Sequence, residues 1–574
     1  MKKLLCILMA LSMILSMGIT AFAAETHEIT NAAFPFYYRS INTGEKVTLY
    51  FLDGVTDLPY VEVNDWGKII SSDGLGVFDG AGVEIRFSVE ADGPVVTFTR
   101  HNSDPASFDN GAPMTIDFEK DTIAFQDYNV FCLRGGSPTI IETTTMSTHN
   151  DAGEPTLLQK VDKGSFVRYG NSLTFDLGAY GIDLIMQDGL YLIPLQTLSD
   201  ILMPNTAMGC LFFNGQALIL APNVSDVADV YYAAPTGERS EALAEYGYNE
   251  LCMMLDHFYG LKDTHRIQSF QRLFQSIGFE DVLKGGDVRQ ADGAVYRLIT
   301  DFLSDGHSHW LGFSYLTGPM EYEARDAANE WIDMNLDRQE EARAKFYPDG
   351  IPGYEEIGNT AYISFDTFMN MLQPDDYYTL DPADYPEGDV IGLMIKAHEQ
   401  ITREGSPIEN VVLDMSANSG GSDSVSTLVV AWMLGEANPS FVDMMTGAMT
   451  TNAYRFDANL DRVFDEKDTL AGKKLFCLAS SGSFSNGNYV PCTLKASGRV
   501  TLLGRATAGG ACTILPASTA WGTSFQISSN VCKSFLKNGA FYDIDRGVEP
   551  DYALTSPESF YDRVALTDYI NDIK

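Results

Sequence analysis

The sequence predicts a multidomain protein: a β-rich N-terminal region, a small helical cap, and an α/β core on a mainly parallel sheet. Three observations carry this. The chain has 574 residues, 45% hydrophobic and 20% charged, enough apolar surface for more than one core. From residue 25 to about 230, short runs alternate apolar and polar between Gly, Asp and Asn, the pattern of strands and turns. Beyond about residue 360, buried strands alternate with helices, which argues for a parallel sheet.

The first residues, MKKLLCILMALSMILSMGITAFAAETHE, combine two lysines, an apolar run and the small residues Ala21, Ala23 and Ala24. This is the pattern of a secretory signal, so residues 1–23 are expected to be removed and the mature protein to be secreted or extracytoplasmic. Cys6 lies inside the apolar run rather than at its end, which argues against a lipoprotein anchor. No later stretch is long and apolar enough to span a membrane. The net charge of −40 repels nucleic acid and anionic lipid, and no basic patch offsets it. Cysteines 132, 210, 252, 477, 492, 512 and 532 form no Cys-x-x-Cys pair and read as buried free thiols, although an exported protein also allows one disulfide.

In the β-rich region, 24–235, the strands are KVTLYFL, GVEIRFSVE, PVVTFTR and LTFDLG, and DGLYLIPLQTLSDILM (188–203) adds a strand followed by a short helix. No chemistry is assigned there. The cap, 238–310, opens with a helix N-capped by Ser240, continues through THRIQSFQRLFQSIG and VRQADGAVYRLITDFL, and ends in SDGHSHW. The core, 311–574, begins with a long acidic helix over 321–345. It continues with the strand TAYISF, a helix over 388–403, the strand NVVLDM, the helix VSTLVVAWML, the strand KLFCLA, a helix after Ser485 and the strand RVTLLG.

Four loops could carry chemistry. In VVLDMSANSGGSDS, Gly420 and Gly421 let backbone N–H groups approach a ligand just before a helix, and either glycine could serve an oxyanion. Neither a Gly-x-Gly-x-x-Gly nor a phosphate-loop pattern is present. Ser485, in SSGSFSNGN, stands between a strand and a helix start, where a serine either caps the helix or presents a reactive hydroxyl. GRATAGGACTIL follows a third strand. His307 and His309 in SDGHSHW suit a base better than a metal ligand, because no H-E-x-x-H or Cys/His cluster completes a metal site. A rival Ser-x-x-Lys in SFLK (534–537) lies in a strand-and-turn context and lacks its companion motifs.

NVVLDMSANSGG, LFCLASSGSFSNGNY, GRVTLLGRATAGGA and DIDRGVEPDYAL, in this order, resemble the motifs of the C-terminal processing (tail-specific) protease family of serine peptidases, over roughly residues 238 to 556. The resemblance implies a ClpP/crotonase-like core, a protein or peptide substrate and no cofactor or metal. It puts the nucleophile on Ser485 and the oxyanion contacts on the backbone N–H groups of Gly421 or Gly420 and of Asn486.

Two positions depart from the family. Asn488 replaces the usual glutamate, and Gly510 stands where the lysine-dependent branch has its base. A serine hydroxyl needs a proton acceptor, so the base must come from elsewhere. The tricorn-like branch, akin to interphotoreceptor retinoid-binding protein and without a PDZ domain, takes a histidine from a loop ahead of the core. The resemblance places it on His307, with Asp543 or Asp545 of YDIDRGVEPD orienting the imidazole. The expectation is an exported Ser-His-acid peptidase whose activity titrates with a histidine-like pKa. The alternative is an inactive family member that binds a ligand or cell wall.

Overall fold

The computed structural model describes residues 26–137, 139–144, 146–322 and 327–573. The signal sequence expected over 1–23 lies outside the described residues.

At the centre of the C-terminal half is a six-stranded sheet. Its strands are β1 (Tyr354–Ile357), β2 (Thr360–Ser364), β3 (Asn410–Met415), β4 (Lys474–Ala479), β5 (Val500–Gly504) and β8 (Tyr552–Ala553), lying side by side in that order. The pairs β2–β3, β3–β4, β4–β5 and β5–β8 are parallel, and only the edge pair β1–β2 is antiparallel. Both faces are covered, which is why NVVLDM and KLFCLA read as unbroken apolar runs rather than alternating ones. Val411, Leu413, Met415, Leu475, Cys477 and Leu502 join one core with the helices α1 (Val390–Thr402), α2 (Asp423–Leu434) and α3 (Asn486–Ala496). Tyr362, Val412, Phe476, Leu478 and Leu503 join another with Leu566 and Ile570 of α4 (Arg563–Asp572). The carboxyl ends of β3 and β4 open into the two glycine and serine loops, where open parallel sheets place their ligands.

A second sheet leans over those loops. Its spine is the 14-residue strand β7 (Ser524–Lys537), which pairs with β6 (Cys512–Ser518), with the strand His309–Gly312 and with Ser440–Asp443. The SFLK segment is the end of β7, where Phe535 to Lys537 pair with Ala540 to Tyr542; the serine and lysine do not share a helical turn.

The N-terminal region forms a seven-stranded and a five-stranded sheet. The strands expected there are present at Ile41–Leu52, Ile85–Asp92, Val95–Asn102 and Leu173–Asp176, and Leu190–Pro194 runs into the helix Leu195–Ala207. Ser240 caps the helix Glu241–Phe258, its side chain accepting from the Leu243 N–H.

The boundaries drawn from sequence at 235 and 310 are not boundaries between cores. Leu243, Leu255, Phe270, Val295 and Leu303 of the helical stretch share one core with Trp66, Phe98 and Leu198 of the N-terminal sheets and with Leu515, Phe525 and Ile527 of β6 and β7. The helix Phe270–Ile277 spans only 8 residues and Val288–Arg297 only 10, too little apolar surface to close a core among themselves. The strand Leu158–Arg168 also crosses the expected boundary, pairing antiparallel with Met449–Phe456.

Candidate active site

Ser485 occupies the N-cap of α3 with φ 56° and ψ −123°, and its side chain makes no capping hydrogen bond. The capping role open to a serine at this position is therefore unused. Its backbone is held on both sides: its N–H donates to the Gly509 carbonyl at 3.0 Å, and its carbonyl accepts from the N–H groups of Asn488 and Tyr489 at 2.9 Å. This fixes a left-handed turn that carries the hydroxyl out of the capping position.

The glycine loop after β3 runs alongside. A Cβ on Gly420 would lie 2.8 Å from Ser485 Cβ and 3.2 Å from its Oγ, so only a glycine admits the serine this closely. Gly420 has φ 117° and Gly421 φ 127°, both in the region that favours glycine. The sequence left open which of the two faces an oxyanion. The Gly420 N–H donates to Asn418 Oδ1 at 2.9 Å and is occupied. The N–H groups of Gly421 and of Asn486, the first residue of α3, have no protein acceptor among the described residues. Two free backbone donors thus flank the serine, one from each loop.

His307 comes to the same place from the other side, buried on the loop between the helical stretch and the strand His309–Gly312. Its ring lies 4.6 Å, centroid to centroid, from that of Phe484, the residue before the serine. Phe484 fills a slot made by two glycines, since a Cβ on Gly306 would come within 2.4 Å of its ring and one on Gly510 within 2.5 Å. Gly510, where the resemblance leads one to expect the lysine of one branch, is thus taken up by packing against Phe484. His309 is elsewhere, paired with Gln526 of β7 and bonded through Nδ1 to Asn329 at 3.3 Å.

The aspartates expected to orient His307 do not bond it. Asp543 is exposed and accepts the Asp545 N–H at 2.9 Å. Asp545 accepts the Ala511 N–H on Oδ1 at 3.0 Å and the Gly510 N–H on its carbonyl at 3.2 Å, so it pins the loop after β5. The carboxylate that organises the histidine loop is Asp305, two residues upstream. It accepts the N–H groups of His307 at 3.1 Å and Ser308 at 2.9 Å, and the hydroxyls of Ser308 at 2.7 Å, Ser528 at 2.5 Å and Tyr259 at 2.8 Å. Five donors leave it no reach to the imidazole, whose nitrogens bond no described residue.

Burial pushes His307 down to about 4, with His309 acting in the same direction and the charges of Asp305 and Asp423 acting against it. The ring is therefore neutral at pH 7, the form in which an imidazole accepts a proton. Asp545, by contrast, is held above the usual carboxylate range by burial. Asn488, where the resemblance leads one to expect a glutamate, ties α3 to the loops around it: Nδ2 donates to the Ile544 carbonyl at 2.9 Å and Oδ1 accepts from Thr507 at 2.7 Å.

His307, Phe484, Gly306, Gly510, Asp305 and Asp545 line part of a cavity of about 500 Å³, which Trp331 and Ile332 extend with apolar surface. Among the described residues, no group of three or more His, Cys, Asp or Glu side chains is arranged to hold a metal ion, and no helix is long and apolar enough to cross a membrane. The seven cysteines of the described residues are buried and free, with Cys512 and Cys532 facing each other across β6 and β7 at 3.3 Å between sulfurs.

A parallel sheet whose strand ends present a strained serine and two free backbone donors, with a neutral histidine brought beside them on a loop of the second sheet, has the parts of a hydrolase. Residues 359–554 match the family model of Peptidase family S41, and this match supports a serine-type peptidase, a hydrolase.

Among solved structures, the chain is similar to mature CPAF complexed with lactacystin, with 10% identity over 58% of this chain and 97% of that one and a TM-score of 0.36. A lipoprotein from Streptococcus agalactiae shows 14% identity over 57% and 95%, with a TM-score of 0.33. The photosystem II D1 C-terminal processing protease shows 19% identity over 35% of this chain and 43% of its own length, with a TM-score of 0.25. No curated protein matches the chain.

Proposed function

We propose that the protein is an exported peptidase of the tricorn-like, PDZ-free branch of its family, hydrolysing peptide bonds with Ser485 as nucleophile and His307 as general base. The single observation that carries this is the serine itself: it sits at a helix N-cap without capping, in a left-handed backbone, against Gly420 and between two unoccupied amides.

In this reading a peptide carbonyl enters over Ser485 with its oxygen toward the N–H groups of Gly421 and Asn486. Ser485 Oγ attacks the carbon, and His307 takes the hydroxyl proton. The negative charge moves to the carbonyl oxygen, where the two amides stabilise it more than they stabilise the ground state. The protonated imidazole then returns its proton to the departing amine, leaving an acyl-enzyme. Water then gives a proton to His307 as its oxygen attacks the acyl carbon, and the imidazolium passes that proton to Ser485 Oγ as the ester bond breaks and the acid leaves. Asp305 and Asp423 both favour the imidazolium through their charge without bonding the ring. In free peptidases such hydrogen bonds are commonly long and tighten when substrate arrives.

One observation favours the alternative, a ligand-binding relative without catalysis: the imidazole of His307 bonds no described residue while a cavity of about 500 Å³ opens beside it. Digestion of a peptide library, read by mass spectrometry, separates the two. The mature wild-type protein is expected to generate new termini and Ser485→Ala none. Absence of cleavage by the wild type, or equal cleavage by the variant, would contradict the peptidase reading.

A further inference from the structure

Lys533 is the one lysine of β7 whose ammonium is turned inward among the loops of the site. The residue is 4% exposed. Its Nζ donates to Asp423 Oδ1 at 2.8 Å, Ser426 Oγ at 2.9 Å and Asn486 Oδ1 at 2.9 Å, and it stands 4.3 Å from the centre of the Tyr489 ring. An ammonium has three donors and no acceptor, and all three are engaged. Lys533 is therefore no substitute for the missing catalytic lysine, because a base must offer a lone pair.

What it does bears on Asn486. The Asn486 carboxamide spans the two loops that carry the free amides: Nδ2 donates to the Gly421 carbonyl at 2.7 Å and to Asp423 Oδ1 at 3.0 Å, while Oδ1 accepts from Lys533 and from Ser426 at 3.0 Å. An asparagine side chain can be turned over at little cost when its surroundings do not tell oxygen from nitrogen. Here they do. A group that can only donate faces Oδ1, so Nδ2 is directed at Gly421 and cannot exchange places with it.

Resting on the peptidase reading above, we propose that Lys533, paired in the interior with Asp423, is a positioning residue for the oxyanion site. It locks the Asn486 side chain in the one orientation that clamps the Gly421 loop to the start of α3. Asp423 is the first residue of α2, where a carboxylate also meets the positive end of the helix. The Asp423 carboxyl is held below its usual range, burial being outweighed by Lys533 and by hydrogen bonds from Lys533, Thr143 and Asn486, while burial draws the Lys533 ammonium down and the Asp423 charge and hydrogen bond act against it. Thr143 brings a contact from the N-terminal half of the chain to Asp423 Oδ2. The sequence offered no sign of this role, since a lysine inside a strand reads as solvated.

Fluorophosphonate labelling tests the proposal, because the probe's phosphoryl oxygen occupies the oxyanion position. The variants are Lys533→Met with Asp423→Asn, which buries no lone charge, Asn486→Ala, which keeps the backbone amide, and all three together. The first is expected to lower the maximal labelling rate about 10- to 100-fold, somewhat less than outright loss of an oxyanion donor, with the half-saturating probe concentration changed less than about twofold. Asn486→Ala should fall comparably, and the combination should fall no further, since Lys533 acts through Asn486. An unchanged rate in the folded double variant, or losses that multiply, would overturn the proposal. Should that variant not fold, a crystal structure of the wild-type phosphonate adduct decides: Asn486 Oδ1 turned away from Lys533 overturns the proposal, and Oδ1 on Lys533 with the phosphoryl oxygen on both amides supports it. A wild type that does not label at Ser485 removes the peptidase reading itself. Labelling with insensitive variants removes only Lys533.

Discussion

Ser485 holds a backbone that an L-residue adopts at a cost, with φ 56° and ψ −123°, and glycine would adopt it freely. The contacts that hold it there are backbone ones, through Gly509, Asn488 and Tyr489, and survive loss of the hydroxyl. Ser485→Gly is therefore expected to be more stable than Ser485→Ala by about 1–3 kcal/mol in equilibrium denaturation, despite glycine's greater freedom when unfolded. Equal stabilities would mean that the turn carries no strain. At this scale the sequence was informative where a motif is contiguous. Ser485, Gly420 and Gly421 lie in short loops after strands, and their types alone suggested close backbone approach. The choice between Gly420 and Gly421 was not legible, because it depends on the Asn418 side chain claiming one amide. Nor was Asp305 singled out, although the SDG before His307 was a local signal: an aspartate followed by free N–H groups commonly organises a turn.

Among the elements, β3 matters most because its carboxyl end aims the glycine loop. Asp414, next to last in β3, accepts from Arg563 of α4 at 2.6 Å, and both are buried. Asp414 also accepts the N–H of Ser416 at 2.9 Å, which fixes how the chain leaves the strand. Arg563 stacks its guanidinium 4.3 Å from the centre of the Tyr362 ring in β2 and reaches Ser364 at 3.1 Å. Arg563→Met leaves the Asp414 charge buried and alone, and is expected to cost about 3–5 kcal/mol. Adding Asp414→Asn should recover most of that loss. No recovery would mean that the arginine acts by packing rather than by charge. The central strands β2 to β5 were legible because each is largely buried on both faces and reads as a run, whereas the edge strands β1 and β8, half-buried and exposed, were not. The pairing of Arg563 with Asp414 joins residues 149 positions apart and leaves no trace in local pattern.

Over the whole molecule, the three regions expected from sequence share cores and strands, and the site depends on that sharing. His307 arrives on a loop held by Asp305, whose partners are Tyr259 from the end of the helix Glu241–Phe258 and Ser528 from β7. The helical stretch and β7 thus support the histidine, while the parallel sheet supports the serine. Composition shifts and periodicity located the segments but could not show this, because a shared core has no boundary in sequence. The meeting of the two loops also fixes the pH behaviour. A histidine-like titration near neutrality was the expectation from sequence, but burial at the junction brings His307 down to about 4. The groups acting on it are Asp305 and Asp423, which favour its charged form, and His309, which opposes it; Asp545 and His265 line the same cavity. A base must be neutral to accept a proton, so activity should be flat across neutral pH and be lost as pH falls through about 4. Stability should follow in the same sense between that value and the unfolded histidine pKa of about 6.5, where the unfolded chain binds a proton that the folded one excludes.

The measurement that tests the central claim most directly is the rate of fluorophosphonate labelling as a function of pH, with the modified residue mapped by mass spectrometry, on wild type and His307→Ala. The account predicts modification at Ser485, a rate constant from pH 6 to 8 that declines below with a midpoint near 4, and a loss of about 100-fold or more in His307→Ala. Modification at another residue, or equal labelling of His307→Ala, would contradict it.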